Sequence, residues 1–320
     1  MTPRRFLITG ALGAIGVWTM RSLLEAGHEV VALDLGGSRH RLEIALSDEQ
    51  RTAIAHVEAD ITDLASLERA LEEHAITSVI HLAALQVPFV LEKPVLGAQV
   101  NVVGTTNVLE ALHRRAGQFG PLVYASSIAV YGPQGTLAGD DVPGTLYGVY
   151  KRANEGTARR YFDDYGVSSI GLRPHTVFGP GRDQGVTSGP TTAMVAAAAR
   201  QPFHIPFGGR IQLQHAADAG EAFARAALLE YDGASVHNLD GAVLSLDDLV
   251  ALIKGAAPGA QITVGDAVLP LVEAVDGTSF VELLGGSVMR PVEDGVRDSV
   301  RQFEDLLERG LVQAPSAGVG

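Results

Sequence analysis

The segment Phe6–Gly16, FLITGALGAIG, joins a short apolar run to a glycine-rich turn and then to residues with helical spacing. Its three glycines fall where a predicted strand passes into a predicted helix. Glycine permits the tight turn and lets backbone N–H groups approach a phosphate at the positively polarised start of the helix. The segment therefore predicts a strand–turn–helix unit that holds the pyrophosphate of a dinucleotide. The predicted contacts are Gly10, Leu12, Gly13, Ala14, Ile15 and Gly16.

An acidic residue ends the second predicted strand. Asp34 follows Gly16 by 18 residues, a spacing typical of dinucleotide-binding turns. A carboxylate there accepts hydrogen bonds from the adenosine ribose hydroxyls and repels a 2′-phosphate. We therefore predict NAD as the cofactor, and the nearby Arg39 and Arg41 leave NADP as the less favoured option.

Short apolar runs alternate with helical patterns through the first half of the chain. The predicted strands are Phe6–Thr9, Val30–Leu35, Ala55–Ala59, Val79–Ala83, Leu122–Ala125 and Ser169–Arg173. The predicted helices between them lie near Ile15–Ala26, Leu64–His74, Val95–Arg115 and Tyr147–Tyr165. Such alternation predicts an α/β fold with a Rossmann-type, doubly wound parallel sheet, because parallel strands need crossover helices.

The texture of the sequence changes after Gly179, where glycine, proline and serine become frequent. We predict an NAD-binding domain of residues 1–178 plus about 210–241. Residues 179–209 plus 242–320 are expected to form a smaller substrate-binding lobe.

Composition narrows the classes of partner. The net charge of −13 argues against nucleic acid or anionic lipid, and the absence of cysteine excludes disulfides and thiolate metal sites. No metal is predicted. The apolar run after Arg4 and Arg5 is short and broken by glycines, which makes it a poor export signal. We expect a cytoplasmic protein with a small-molecule substrate.

A tyrosine and a lysine share one face of the fourth predicted helix. Tyr147 and Lys151 are four residues apart, and Ser127 lies 20 residues before the tyrosine, just past a predicted strand. With these residues in place, the chain resembles the extended short-chain dehydrogenase/reductases, the NAD-dependent epimerase/dehydratase family. Further motifs match in order: Leu82–Ala84, Asn101–Thr105, Arg173-Pro174 and Gly179–Arg182.

The resemblance implies roles for these residues. Tyr147 exchanges a proton with the substrate hydroxyl, Lys151 lowers the tyrosine pKa and holds the nicotinamide ribose, and Ser127 positions the reacting oxygen. Asn101 is expected to support the site in a catalytic or a structural role. Further implied cofactor contacts are Asp60, Ile61, Leu82, Ala83, Ala84, Asn101, Tyr147, Lys151, Pro174 and Thr176.

Departures from the family pattern bear on the substrate. Ile128 and Ala129 stand where sugar-nucleotide dehydratases carry an acidic pair. Thr176 and Ile211 stand where nucleotide-sugar enzymes carry diphosphate-binding Asn and Arg, and no Lys or Arg occurs between Lys254 and Arg290. We therefore favour a dehydrogenase acting on a small sugar-like or hydroxy-acid substrate. Its candidate contacts are Gln86, Ser126, Ser127, His175, Arg182, Gln184 and His215.

Two other functions remain open at this point. A nucleotide-sugar 4-epimerase would use the same catalytic residues without net redox change. A dinucleotide-sensing protein would keep the fold, although such proteins typically lack the Tyr/Lys pair. The resemblance also implies a homodimer, with Val102, Val108 and Leu109 on one helix and Tyr161, Phe162 and Tyr165 on the next as candidate interface residues.

Overall fold

Residues 3–115, 119–137 and 141–315 are described by the computed structural model. The strands are β1 Arg5–Thr9, β2 Glu29–Asp34, β3 Ala55–Glu58, β4 Ser78–His81, β5 Leu122–Ala125, β6 Ser169–Arg173, β7 Thr176–Phe178, β8 Phe203–Ile205, β9 Arg210–His215, β10 Ala234–Asn238, β11 Ala242–Ser245 and β12 Ile262–Val264.

The helices begin with α1 Ala14–Glu25, α2 His40–Ala45, α3 Asp48–Ala53, α4 Leu64–Glu73, α5 Val87–Glu92, α6 Pro94–Ala98 and α7 Gly104–His113. They continue with α8 Leu146–Tyr165, α9 Gly189–Ala198, α10 Ala216–Leu228, α11 Leu246–Ala256, α12 Thr278–Leu284 and α13 Val292–Glu308. A π-helical turn, Gln99–Val103, joins α6 to α7.

The central sheet of the described chain has seven parallel strands in the order β3-β2-β1-β4-β5-β6-β10. Helices cover both of its faces. One core packs Phe6 and Ile8 of β1 against α1 and α10, and the other packs Leu7 against α4 and α7. The predicted doubly wound fold is confirmed. The order in which successive strands join the sheet reverses between β1 and β4, and ligands of this fold class bind at the strand carboxyl ends beside such a switch point.

A second lobe with its own apolar core follows β6. Strands β7, β9 and β11 form one small sheet, and β8 pairs with β12. These strands pack with α9, α11 and α13 around a separate apolar core that includes Met194, Phe207 and Phe303. Within residues 210–241, β9 belongs to the small sheet, whereas β10 extends the central sheet.

Helix α10 packs closely on α1. A Cβ added to Gly220 would lie 2.5 Å from the Trp18 side chain, so the small residue permits the close approach. No helix in residues 3–115, 119–137 and 141–315 combines the length and apolar composition needed to cross a membrane.

Candidate active site

A cleft of about 920 Å³ opens at the carboxyl ends of the central strands and continues between the central sheet and the residues that follow β6. Its floor is the glycine turn after β1, and its far wall comes from the second lobe. Every predicted cofactor contact except Asn101 lines this cleft. The cleft is large enough for a dinucleotide with a small substrate beside it.

The glycine turn has the geometry that the sequence requires. Gly10 has a φ of +68°, and a Cβ there would lie 2.5 Å from the backbone nitrogen of Ala83 on the neighbouring strand end. A Cβ on Gly16 would lie 2.6 Å from the carbonyl oxygen of Ala11. Gly13 is the N-cap of α1 and supplies no side-chain cap. The first N–H groups of α1 therefore remain available to a phosphate, so these residues fit a dinucleotide.

Asp34 lies at the end of β2 beside this turn. Its carboxylate accepts hydrogen bonds from the backbone N–H of Leu12 (3.0 Å) and of Leu35 (2.9 Å). Arg41 is directed elsewhere: it donates to the carbonyl oxygens of Gly181 (3.0 Å) and Leu12 (3.1 Å) and pairs with Asp183. Asp34 is thus fixed beside the glycine turn, whereas Arg41 already has hydrogen-bonding and ion-pair partners.

Asn101 is fully buried in the π-helical turn. Its side-chain amide accepts from the Leu85 N–H (2.7 Å) and donates to the Leu85 carbonyl oxygen (2.9 Å). Its own carbonyl oxygen accepts from the Asn154 amide (2.7 Å). The structure does not bring Asn101 into the cleft; it braces the loop that carries Leu82–Ala84 against helix α8.

Ser127, Tyr147 and Lys151 all line the cleft, and Tyr147 lies beside the other two. Helix α8 begins at Leu146 because the Thr145 hydroxyl caps it, accepting from the Gly148 N–H (3.1 Å). This cap places Tyr147 in the first turn and Lys151 one turn later. The Lys151 ammonium lies 5.7 Å from the centre of the Tyr147 ring and donates to the Ala125 carbonyl oxygen (2.6 Å).

The electrostatic environment acts on both titrating groups. Burial raises the pKa of Tyr147, while hydrogen bonding by Ser127 and the charge of Arg182 lower it. Burial lowers the pKa of Lys151 to about 8, and the negative charge of Glu155 opposes that shift. Two cationic side chains thus stand near a tyrosine whose deprotonation they favour.

A buried ion pair involves Glu155, which lies one helical turn after Lys151 on α8. Arg173 and Glu155 form a two-pronged pair with N···O distances of 2.6 and 2.7 Å, and their side chains are 8% and 11% exposed. The Ser126 hydroxyl donates to the same carboxylate, and Arg173 also donates to the Tyr131 hydroxyl (3.0 Å). Ser126 was predicted as a substrate contact; it lines the cleft, but its hydroxyl is directed into this network.

The other predicted substrate contacts separate into two groups. Gln86, His175, Arg182 and Gln184 line the cleft, whereas His215 does not. His215 caps α10 by accepting from the Ala217 N–H (3.3 Å), and its ring packs edge-on against Phe178. Burial lowers the pKa of His215 to about 3. The histidine is thus neutral and enclosed behind the cleft wall.

One wall of the cleft was not predicted from the sequence. The apolar segment Leu269–Val272 of the second lobe lines it, and the Val272 carbonyl oxygen accepts from His175 Nε2 (2.7 Å). An apolar run between Asp266 and Glu273 was the available sequence signal, but it gives no indication of its partner. Among the described residues, no group of three His, Asp or Glu side chains could hold a metal.

Comparison with known proteins gives the family. The model of the NAD dependent epimerase/dehydratase family matches residues 6–237. UDP-glucuronate 4-epimerase 3 of Arabidopsis thaliana is 36% identical over 185 residues, which cover 54% of this chain and 42% of that protein. The match thus spans less than half the length of this curated relative.

Solved structures resemble the chain over nearly its whole length. UDP-glucose 4-epimerase of Thermus thermophilus, in complex with NAD, has a TM-score of 0.77 and 26% identity, covering 96% of this chain and 100% of that one. L-threonine dehydrogenase of Clostridium difficile has a TM-score of 0.81 at 19% identity, covering 98% and 100%, and shares the fold. The chain belongs to the NAD dependent epimerase/dehydratase family and is an enzyme of that family.

Proposed function

We propose that this enzyme transfers hydride between NAD and a secondary alcohol or its ketone, in a small substrate without a nucleotide. The observation that carries the proposal is the meeting of Ser127, Tyr147 and Lys151 in the same cleft as the glycine turn. A dinucleotide-sensing role does not fit an enzyme family member that keeps all three residues together.

The chain's own groups account for the proton transfer. In the oxidation direction Tyr147, as phenolate, takes the proton of the substrate hydroxyl, while the carbinol carbon loses its hydrogen with both bonding electrons. Ser127 donates a hydrogen bond to the reacting oxygen and holds it in line with Tyr147. Lys151 and Arg182 stabilise the phenolate. Bound NAD supplies the hydride acceptor at its nicotinamide ring.

The residues at the expected diphosphate anchors favour a small substrate. Thr176 and Ile211, which replace a polar amide and a cation, are 1% and 5% exposed. The wall formed by Leu269–Val272 is apolar. Two phosphates here would lack charge-assisted hydrogen bonds, each of which contributes roughly 1.5–3 kcal/mol.

A nucleotide-sugar 4-epimerase is the second candidate. It is favoured by the 36% identity to a protein named UDP-glucuronate 4-epimerase. Such an enzyme would oxidise its substrate, present the opposite face of the ketone and reduce it again, without net NADH. The same Tyr147 and Lys151 serve either reaction, so the substrate distinguishes the two candidates.

The substrate class is tested with two assays on the native enzyme. We expect net NADH formation with at least one member of a panel of sugars, aldonates, uronates and hydroxy acids. We expect no inverted product from UDP-glucuronate or UDP-glucose, as followed by NMR, and no thermal stabilisation by either. A bound ligand at a hundred times its Kd adds about 2.7 kcal/mol of stability, which a melting curve detects. Robust epimerisation of either nucleotide sugar would replace our proposal with the second candidate.

Asp34 is proposed to select NAD over NADP. We expect native NAD affinity to exceed NADP affinity at least ~10-fold, a gap of about 1.4 kcal/mol, because the carboxylate repels a 2′-phosphate. Asp34→Ala should narrow that gap, as measured by fluorescence titration with both reduced cofactors. Glu58→Ala is the matched control, since Glu58 pairs with Asp34 across β2 and β3 but does not line the cleft. Equal affinities of the native enzyme for NAD and NADP would show that Asp34 does not select between them.

We propose a homodimer, formed through the surface that α5, α6 and α8 share. Val108 and Leu109, two of the predicted interface residues, belong instead to the monomer's own core at 3% and 0% exposure. Other apolar side chains are exposed on these helices: Leu91 at 79% on α5, Val95 at 73% on α6 and Val149 at 36% near the start of α8. Burial of such a patch drives association.

Light scattering at micromolar concentration should give twice the chain mass. Val95→Glu should yield monomers, because it places a charge in the apolar patch. Val243→Glu, at the exposed position of β11, should leave the dimer intact. A monomeric native protein would contradict the proposed assembly.

A further inference from the structure

Arg182 is a cation in the cleft wall without an anionic partner. No carboxylate lies within 4 Å of its guanidinium in residues 3–115, 119–137 and 141–315. It donates to the neutral oxygens of Gln86 (3.5 Å) and Thr187 (3.4 Å), and both hydrogen bonds are long. Its Nε is buried and has no partner among the described residues.

Two other arginines of this part of the structure have carboxylate partners. Arg173 has Glu155 at 2.6 Å, and Arg41 pairs with Asp183. Removing a cation from water is costly unless an anion and hydrogen bonds replace the lost solvation. Burial correspondingly lowers the pKa of Arg182. The buried Arg182 guanidinium therefore lacks the anionic partner that would stabilise its charge, and a bound ligand is able to supply one.

The position of Arg182 indicates which ligand. Its terminal nitrogens and the Gln86 oxygen converge over Gly185, where an added Cβ would lie 2.7 Å from Arg182 Nη2 and 2.7 Å from Gln86 Oε1. Gly185 has a φ of +103°, and its lack of a side chain permits this close approach of both groups. Gln86 follows the loop that carries Ala83 and Ala84, and the charge of Arg182 acts on the Tyr147 hydroxyl. The guanidinium thus belongs to the reacting end of the cleft.

We propose that Arg182 binds a carboxylate of the substrate, with Gln86 and Thr187 as its neutral neighbours. This inference rests on the proposed function and narrows it: the substrate is a hydroxy acid whose reacting carbinol lies at Tyr147. The cofactor diphosphate is the other available anion. It is expected against the glycine turn at the start of α1, where backbone N–H groups are free to hold it.

The test compares acids with matched neutral alcohols on the enzyme loaded with NADH. D-Gluconate is paired with D-glucitol and D-glycerate with glycerol, and binding is measured by calorimetry. We expect Arg182→Gln to weaken binding of the acids ~10- to 100-fold, as loss of charge-assisted hydrogen bonds would, and to leave the alcohols within ~2-fold. Arg182→Lys should recover part of the acid affinity. Arg301→Gln removes an exposed charge on α13, outside the cleft lining, and should change neither.

Three results would overturn the assignment. One is equal weakening of acids and alcohols by Arg182→Gln. Another is a tenfold or larger loss of NADH affinity in that variant with acid affinity unchanged, which would assign Arg182 to the diphosphate. The third is failure of both acids to bind native holoenzyme at millimolar concentration. These readouts measure binding, so they are distinct from failure of the proposed function, which would appear as normal turnover in Tyr147→Phe.

Discussion

Tyr147→Phe is expected to lower turnover by roughly 10²–10⁴-fold or more while preserving the fold and cofactor binding. The substitution removes one hydroxyl, and that hydroxyl is the proposed proton acceptor. The aromatic ring remains in the first turn of α8, where Thr145 fixes it. The measurement is the initial rate on the substrate found in the panel, with NADH titration on the same preparation. Near-native turnover would exclude the proposed mechanism.

Tyr150 provides the matched control. It lies three residues later on the same helix, and its hydroxyl donates to the Pro94 carbonyl oxygen (3.1 Å), outside the cleft. Tyr150→Phe removes the same atom without touching the reacting end, so the chemical step should be nearly unchanged. A loss as large as that of Tyr147→Phe would mean that the hydroxyls act through packing.

The same mechanism determines the direction of the pH dependence. Oxidation needs the Tyr147 phenolate, so the rate should rise with pH through the tyrosine pKa. Burial raises that pKa, whereas Ser127 and Arg182 lower it. Ser127→Ala should therefore move the rising limb to higher pH as well as reducing turnover. If the pH profile of Ser127→Ala rose at the same pH as that of the native enzyme, Ser127 would not influence the pKa of Tyr147.

Glu155→Ala is expected to reduce the free energy of unfolding by about 3–5 kcal/mol, the cost of leaving one member of a buried ion pair without its partner. The substitution leaves Arg173, whose side chain is 8% exposed, without its ion-pair partner. It also removes the acceptor of the Ser126 hydroxyl. Urea denaturation measures the change. The double variant Glu155→Leu/Arg173→Met should recover much of the loss, because apolar residues of similar volume replace such a pair without an unpaired charge.

The surface pair of Arg160 and Asp164 provides the comparison on the same helix. Its side chains are 64% and 43% exposed, so solvent and salt screen the attraction. Asp164→Ala should stay within ~0.5 kcal/mol of the native protein. If Glu155→Ala lowered the free energy of unfolding as little as Asp164→Ala, Arg173 would have to be solvated by water. The Arg173–Glu155 pair would then not behave as a buried ion pair.

Local patterns predicted the confirmed parts of the structure. The run FLITGALGAIG predicted a strand, a turn and a helix because the steric demand at Gly10 and Gly16 is set by atoms close along the backbone or on the adjoining strand end. The alternation of strands and helices predicted the parallel sheet. A helical connection between two strands of one sheet allows few topologies, and these are set by segments adjacent in the sequence. Tyr147 and Lys151 share a face because four residues make about one helical turn.

Pairings between distant segments were not predictable in this way. His215 had the residue type of a substrate contact, yet it caps α10 and packs on Phe178. Val108 and Leu109 suited a dimer face and lie in the monomer core. Ser126 lines the cleft, but its partner Glu155 is 29 residues away on another element. Side-chain type indicates what a residue is able to do, and packing determines which partner it meets.

The sequence by itself determined the strand–turn–helix unit, the acidic end of β2 and the Tyr147–Lys151 pair, because each depends on spacing within one element or its immediate neighbour. Only the tertiary structure decided which charges are satisfied. Arg41, Arg173 and Arg182 are alike in sequence, but two meet carboxylates and the third meets the neutral oxygens of Gln86 and Thr187. Electrostatic energy depends on distance and burial, and both are fixed only when segments far apart in the chain come together.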